Sequence, residues 1–229
     1  MTEILKNNKA IAFSKEDLQA AYNAVFRSST REAGYYFWDF GQQINTHTLR
    51  ETMVYLKNEL SLLCERHLNK QLYFQSMGRF NHQHASKLHR DSAPSHSFLM
   101  LGYEPTKVDS RVYIADYSRY MADQNISIER YFGDNPQANV VDSDKIPAAY
   151  TKEIRPFPKD HYRLLLINNS KSLETPSYGI FHGAEIPQML KGEDRVIDYM
   201  MTRLDDKDAE ETYDEPAVKD FIESTKIDR

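Results

Sequence analysis

Residues 97–115, SFLMLGYEPTKVDSRVYIA, set two short apolar runs, Ser97–Gly102 and Arg111–Ala115, on either side of a turn-rich segment. Each run has the length of a β-strand and falls short of the roughly ten residues an amphipathic helix needs. The same grammar recurs at Leu72–Phe74, Arg163–Ile167, Tyr178–Phe181 and Arg195–Met201. No helix of crossover length separates consecutive runs, which argues against a parallel βαβ sheet and for an antiparallel barrel or jelly roll. The expected fold class is mainly β, with its core from about residue 71 to about 203.

Upstream of that core the periodicity changes. Ser14 can cap a helix, Asp17 sits in the first turn, and Leu18, Ala21, Tyr22, Val25 and Phe26 recur at helical spacing, which predicts a helix over 15–28. The aromatic run Tyr35–Phe40 predicts a strand. Leu49, Met53, Leu56, Leu60 and Leu63 predict a second helix from Thr48 to near His67. Residues 1–70 therefore read as helical and strand support for the β core. The polar stretch 119–160, with Gly133, Pro136, Pro147, Pro156 and Pro158, reads as a long excursion of the kind that forms lids or binding loops. After Leu204 ten Asp/Glu stand against four Lys/Arg, which predicts a solvated acidic helix or frayed end over 204–229. At 229 residues the chain, 1–229, is read as one domain.

Composition narrows the function. A formal charge of −5 without any Lys/Arg run excludes a phosphate-binding footprint, so no nucleic acid is expected. The single cysteine, Cys64, excludes an internal disulfide and a multi-thiolate zinc site. Any metal must then be held by histidines and carboxylates, and a reducing cytoplasm is the expected location. No window approaches the roughly 20 apolar residues of a membrane helix, and the N-terminus lacks a signal-peptide core.

The chemistry-bearing residues begin with His89-Arg90-Asp91. An imidazole and a carboxylate two residues apart project from one face of a strand and can bind one ion. Alone the triplet is unspecific: eight His and 18 Asp in this chain give about 0.6 such triplets by chance. The context that raises it is His182, within Tyr178-Gly179-Ile180-Phe181-His182-Gly183-Ala184-Glu185-Ile186-Pro187, followed by Gly192-Glu193-Asp194-Arg195-Val196-Ile197. Arg195 stands 13 positions beyond His182.

In the order and spacing of these four residues the chain resembles the Fe(II)/2-oxoglutarate-dependent dioxygenase superfamily over about residues 71–203. The resemblance implies a double-stranded β-helix (jelly roll, cupin-like), with Fe(II) held by His89, Asp91 and His182. Two imidazoles and a carboxylate on one face of octahedral iron leave three positions open, two for the chelating 2-oxoglutarate and one for O₂. Arg195 is then suited to the far carboxylate of 2-oxoglutarate, because its planar fork binds a carboxylate bidentately and stays charged. The implied activity is oxidation of a small organic substrate. Hydroxylation is favoured over halogenation because Asp91 is present. Tyr73 is placed with Arg195 as a co-substrate contact, and Arg79, Arg111 and Tyr113 as substrate contacts, on strands flanking the motif.

Plainer readings stand beside these. Asp91 can cap a surface turn before Ser92-Ala93-Pro94. His182 can be a core histidine bonded to a carbonyl, and Arg195 an exposed strand-edge residue. His82-Gln83-His84 is a cupin-like pair, but no carboxylate follows at cupin spacing, so a loop position is expected for both histidines and a structural one for His96. Two other functions remain open: a non-enzymatic jelly-roll module for a small ligand, and a cupin-like zinc or manganese enzyme. The oligomeric state is not written in the sequence.

Overall fold

The structure is a computed structural model that describes residues 11–132 and 146–228. Helix α1 (Lys15–Val25) starts where the Ser14 hydroxyl accepts from the Asp17 amide at 3.0 Å. It ends before residue 28 because Arg27 turns inward, fully buried, and pairs with Asp116. Strand β1 (Tyr35–Gly41) follows, then α2 (Thr46–Leu68), which Asn45 caps and a left-handed Asn69 stops.

Among the described residues nine strands form two antiparallel sheets. The larger has the order β1-β7-β4-β9-β2, built with β2 (Lys70–Asn81), β4 (Ser97–Tyr103), β7 (Tyr162–Asn168) and β9 (Val196–Asp206). The smaller has the order β3-β8-β5-β6, from β3 (Ser86–His89), β5 (Arg111–Ala115), β6 (Thr151–Glu153) and β8 (Phe181–Glu185). Pairing is nested: β2 with β9, β3 with β8, β4 with β7 and β5 with β6. A chain folded back on itself in this way and laid alternately into two facing sheets is jelly-roll-like, as the strand grammar predicts.

Period-two alternation divides the core. Leu99, Leu101, Leu165, Ile167 and Met201 face the smaller sheet. Phe98, Met100, Leu164, Leu166 and Met200 face the opposite way and pack on α1 and α2. A third cluster, with Phe181, Tyr117 and Met121, lies under α3 (Tyr117–Gln124) and α4 (Ile128–Phe132), outside the smaller sheet.

The differences from expectation have local causes. Strand β2 runs far beyond Leu72–Phe74, because its polar and glycine positions pair along β9 past a bulge between Phe74 and Ser76. The strand expected at Tyr178–Phe181 begins at Phe181 instead. Gly179 there passes so close to the Ser170 carbonyl that a Cβ would lie 1.9 Å from its oxygen, and the chain straightens only afterwards. Strand β9 continues through Leu204 to Asp206. The acidic tail holds a docked helix, α5 (Glu215–Glu223), whose Phe221 is buried in the core, so its inner face is not solvated. Of the excursion 119–160, helices α3 and α4 and strand β6 are defined, and 133–145 lies outside the described residues, so the lid expectation falls partly there. No helix among the described residues is long and apolar enough to cross a membrane.

Candidate metal centre

His89 closes β3, and the antiparallel pairing of β3 with β8 sets it directly opposite His182. Their ring centroids are 4.4 Å apart. Asp91 lies just past the strand end, its Oδ1 3.3 Å from His89 Nε2. One donor atom from each of the three residues lies within 4.8 Å of the others. Asp91 does not cap its own turn: its backbone is held from outside, its amide donating to Asn169 Oδ1 at 2.8 Å and its carbonyl accepting from Asn169 Nδ2 at 3.1 Å. Asn169 is fully buried beyond the end of β7.

Each donor is oriented for an ion. His89 Nδ1, carrying its proton, donates to the Lys87 carbonyl at 2.7 Å and so turns the Nε2 lone pair toward Asp91. Lone pairs on Nε2 and Oδ1 facing each other need a proton or a cation between them. Burial works against a charged His89, but the bond with Asp91, the bond to the Lys87 carbonyl and the charge of Asp91 together outweigh it and raise its pKa. Burial also opposes the Asp91 carboxylate, but the bond from His89 together with the charges of neighbouring groups, Arg90 among them, outweighs it and lowers its pKa. His182 is 7% exposed, and burial lowers its pKa to about 4, so it stays neutral and able to ligate. Its Nδ1 is buried with no hydrogen-bond partner among the described residues, and no bond from this ring to a carbonyl is seen among them, as the plainer reading of His182 would require.

The three residues line one cavity of about 560 Å³, whose wall also includes Arg195. Arg195 is fixed by β2: its amide donates to Asn81 Oδ1 at 3.0 Å and its Nη1 to the His82 carbonyl at 2.9 Å. It is 2% exposed, lies 5.4 Å from the Tyr103 ring centroid, and has a buried Nη2 with no hydrogen-bond partner among the described residues. Burial lowers its pKa, as expected for a guanidinium taken out of water. It is not the exposed strand-edge residue of the plainer reading.

No family model matches this chain, and no curated protein matches it. Among solved structures it is similar to the iron and alpha-ketoglutarate-dependent endoperoxidase NvfI in two forms. One, "with different conformation", is 13% identical with a TM-score of 0.44 over 85% of this chain and 83% of that one. The other is 13% identical with a TM-score of 0.41 over 76% and 79%. At that identity and overlap the likeness assigns neither residues nor reaction.

The other sequence candidates lie elsewhere. Tyr73 is at the far end of β2, its hydroxyl donating to the Asp206 carbonyl at 2.9 Å under the Arg203 guanidinium, so it is no co-substrate contact here. Arg79 is on the outer face of its sheet, bonded to Asp198 at 2.8 Å, with Glu104 and Arg50 in the same buried cluster. Arg111 and Tyr113 alternate with the inward Val112 and Ile114 and turn outward to Glu185. These three corrections share one cause, since strand parity cannot be fixed before register is known. His82 lines the cavity but is outside the donor trio, His84 is exposed, and His96 Nδ1 meets the Ser177 hydroxyl. Cavity residues the sequence reading passed over are Tyr103, Tyr199, Phe80 and Asp228. Tyr199 lies on a strand already recognised, but its inward face could not be read before the register was known.

Proposed function

We propose that the chain is an oxygenase that couples decarboxylation of 2-oxoglutarate to hydroxylation of a small organic substrate, at Fe(II) held by His89, Asp91 and His182 on a double-stranded β-helix. One observation carries the reading: a buried guanidinium, Arg195, whose Nη2 has no hydrogen-bond partner among the described residues, belongs to the wall of the cavity that also gathers two imidazoles and a carboxylate. Leaving a cation so placed without a counter-charge is costly, and a bound carboxylate removes the cost. A chain that only bound a neutral ligand would gain nothing from it.

The donor set, two neutral nitrogens and one carboxylate oxygen, fits Fe(II) with positions left open, and the unpartnered His182 Nδ1 fits a metal ligand. When bound, the iron would supply activation of O₂ at the expense of the 2-oxo acid. The protein's part is positional. Lys87 orients the His89 ring, Asn169 holds the Asp91 backbone, and Arg195 would grip the distal carboxylate so that the 2-oxo end meets the metal. Tyr103, Leu101 and Ile197 keep this end of the cavity apolar, which strengthens that grip. A reducing cytoplasm would keep the iron ferrous, and the lone Cys64 is a buried free thiol.

The test is anaerobic addition of Fe(II) and then 2-oxoglutarate. A weak visible charge-transfer band, absent with either component alone, is expected. Fully loaded metal without the band overturns the reading.

A further inference from the structure

The segment after α5 is stitched to the free edge of β2. Arg79 Nη1 donates to the Ser224 carbonyl at 3.1 Å, the Asp228 amide donates to the Arg79 carbonyl at 2.8 Å, and the Asn81 amide donates to the Asp228 carbonyl at 3.0 Å. Asp228 thereby pairs in parallel with Phe80 and becomes part of the wall of the cavity that holds the metal trio. Under the reading above, the other charges of that wall are engaged: His89, Asp91 and His182 by the metal, Arg195 by the oxo acid. Burial, with Arg195 next, holds His82 toward its neutral form. Among the described residues of the wall, the carboxylate of Asp228 is the charge left for the substrate.

Its neighbours in the wall are aromatic. Phe80 is 40% exposed and meets Tyr199 edge to face at 5.8 Å. A carboxylate beside aromatic rings is the environment that attracts a positive charge, through ion pairing and cation–π attraction together. Lys226 Nζ lies 3.1 Å from Asp228 Oδ1, but the two side chains are 81% and 54% exposed, so their pair is weak and a substrate cation can displace it.

We propose that the primary substrate carries a cationic group, a protonated amine or alkylated ammonium, which Asp228 pairs with over Phe80 and Tyr199, making Asp228 a specificity-determining residue. This rests on the Fe(II)/2-oxoglutarate reading of the same cavity. Protein loaded anaerobically with Fe(II) and 2-oxoglutarate is titrated by calorimetry with phenethylammonium and, separately, with phenylpropionate of similar shape and opposite charge. The ammonium should bind at least about fivefold tighter, the scale of one partly exposed charge contact. Asp228→Asn should abolish that preference, Asp228→Lys should invert it, and Phe80→Leu should weaken the ammonium alone, with the charge-transfer band kept in all three. The band is read before either probe is added, so failure of the iron and oxo-acid reading is seen separately. Equal or tighter binding of phenylpropionate, a preference that survives Asp228→Asn, or no binding of phenethylammonium at millimolar concentration overturns the proposal.

Discussion

Asn169 holds the backbone of Asp91 from both sides, accepting from its amide at 2.8 Å and donating to its carbonyl at 3.1 Å. Asp91 is past the end of β3, where no ladder bond fixes it, so this clasp is what sets its carboxylate against His89. Asn169→Ala should weaken Fe(II) binding by about 10- to 100-fold, the usual effect of removing support from a metal ligand, while the far-ultraviolet circular dichroism stays unchanged. Unaltered iron affinity would show that Asp91 is held by other means. Asp91→Ala should abolish succinate formation outright and still fold.

Arg195 makes two separable demands. In Arg195→Ala, Fe(II) should bind nearly as before and 2-oxoglutarate should weaken by about 2–5 kcal/mol, the range for truncating one partner of a buried charge pair. Arg195→Lys should recover only part, since a point charge cannot replace two parallel hydrogen bonds. Titration of the oxo acid into each iron-loaded variant decides it, and unchanged affinity would move the anchor to another cation.

The same residue predicts a stability effect of opposite sign. With no counter-charge bound, a guanidinium with an unpartnered Nη2 at 2% exposure opposes folding. Arg195→Met should therefore unfold at the same or a higher urea concentration than the parent when metal and oxo acid are absent. With Fe(II) already bound, adding 2-oxoglutarate should stabilise the parent further and the variant little. A marked loss of stability in metal-free Arg195→Met would contradict this.

His82→Ala and His84→Ala, made separately, should keep their iron. Neither ring belongs to the donor trio, and it is the His82 carbonyl, which alanine retains, that accepts from Arg195. Metal analysis of both variants checks the expectation. Loss of iron from both would shift the centre to the cupin-like pair.

Asp198 should prove structural. Fully buried on the outer face of β9, it meets Arg79 at 2.8 Å and Arg50 at 3.5 Å. Asp198→Ala leaves two buried guanidiniums short of an acceptor and should cost about 3–5 kcal/mol in chemical denaturation. A loss under 1 kcal/mol, about the limit for a solvated pair, would mean that water reaches the cluster.

What the sequence could disclose divides along physical lines. Apolar runs such as Ser97–Gly102 and Arg111–Ala115 announce strands because both faces, or one, must be buried, and the two sheets contain them. The order and spacing of His89, Asp91, His182 and Arg195 singled out four residues that the structure brings into the wall of one cavity. Parity was not legible: Arg79 and Arg111 were placed at the mouth, yet they face outward, because one residue of register reverses a strand's faces. The second half of β2 was hidden by Gln75, Ser76 and Gly78, residues whose strand conformation comes from pairing with β9 and not from their own preferences. Asp228, from a tail read as frayed, could be placed only once its bridge to Phe80 was seen.

His89 and His182 face each other across a single rung of the sheet, yet 93 positions of chain separate them. A slip of one residue along β8 would carry His182 to the outer side, into the cluster beneath α3, and bring Phe181 round to meet His89. A chain so misaligned offers an ion too few donors. Any metal that prefers the correct alignment lowers its free energy alone, by mass action. The ion would then act as a proofreader of the fold, rewarding only those molecules in which two distant strands have met in step.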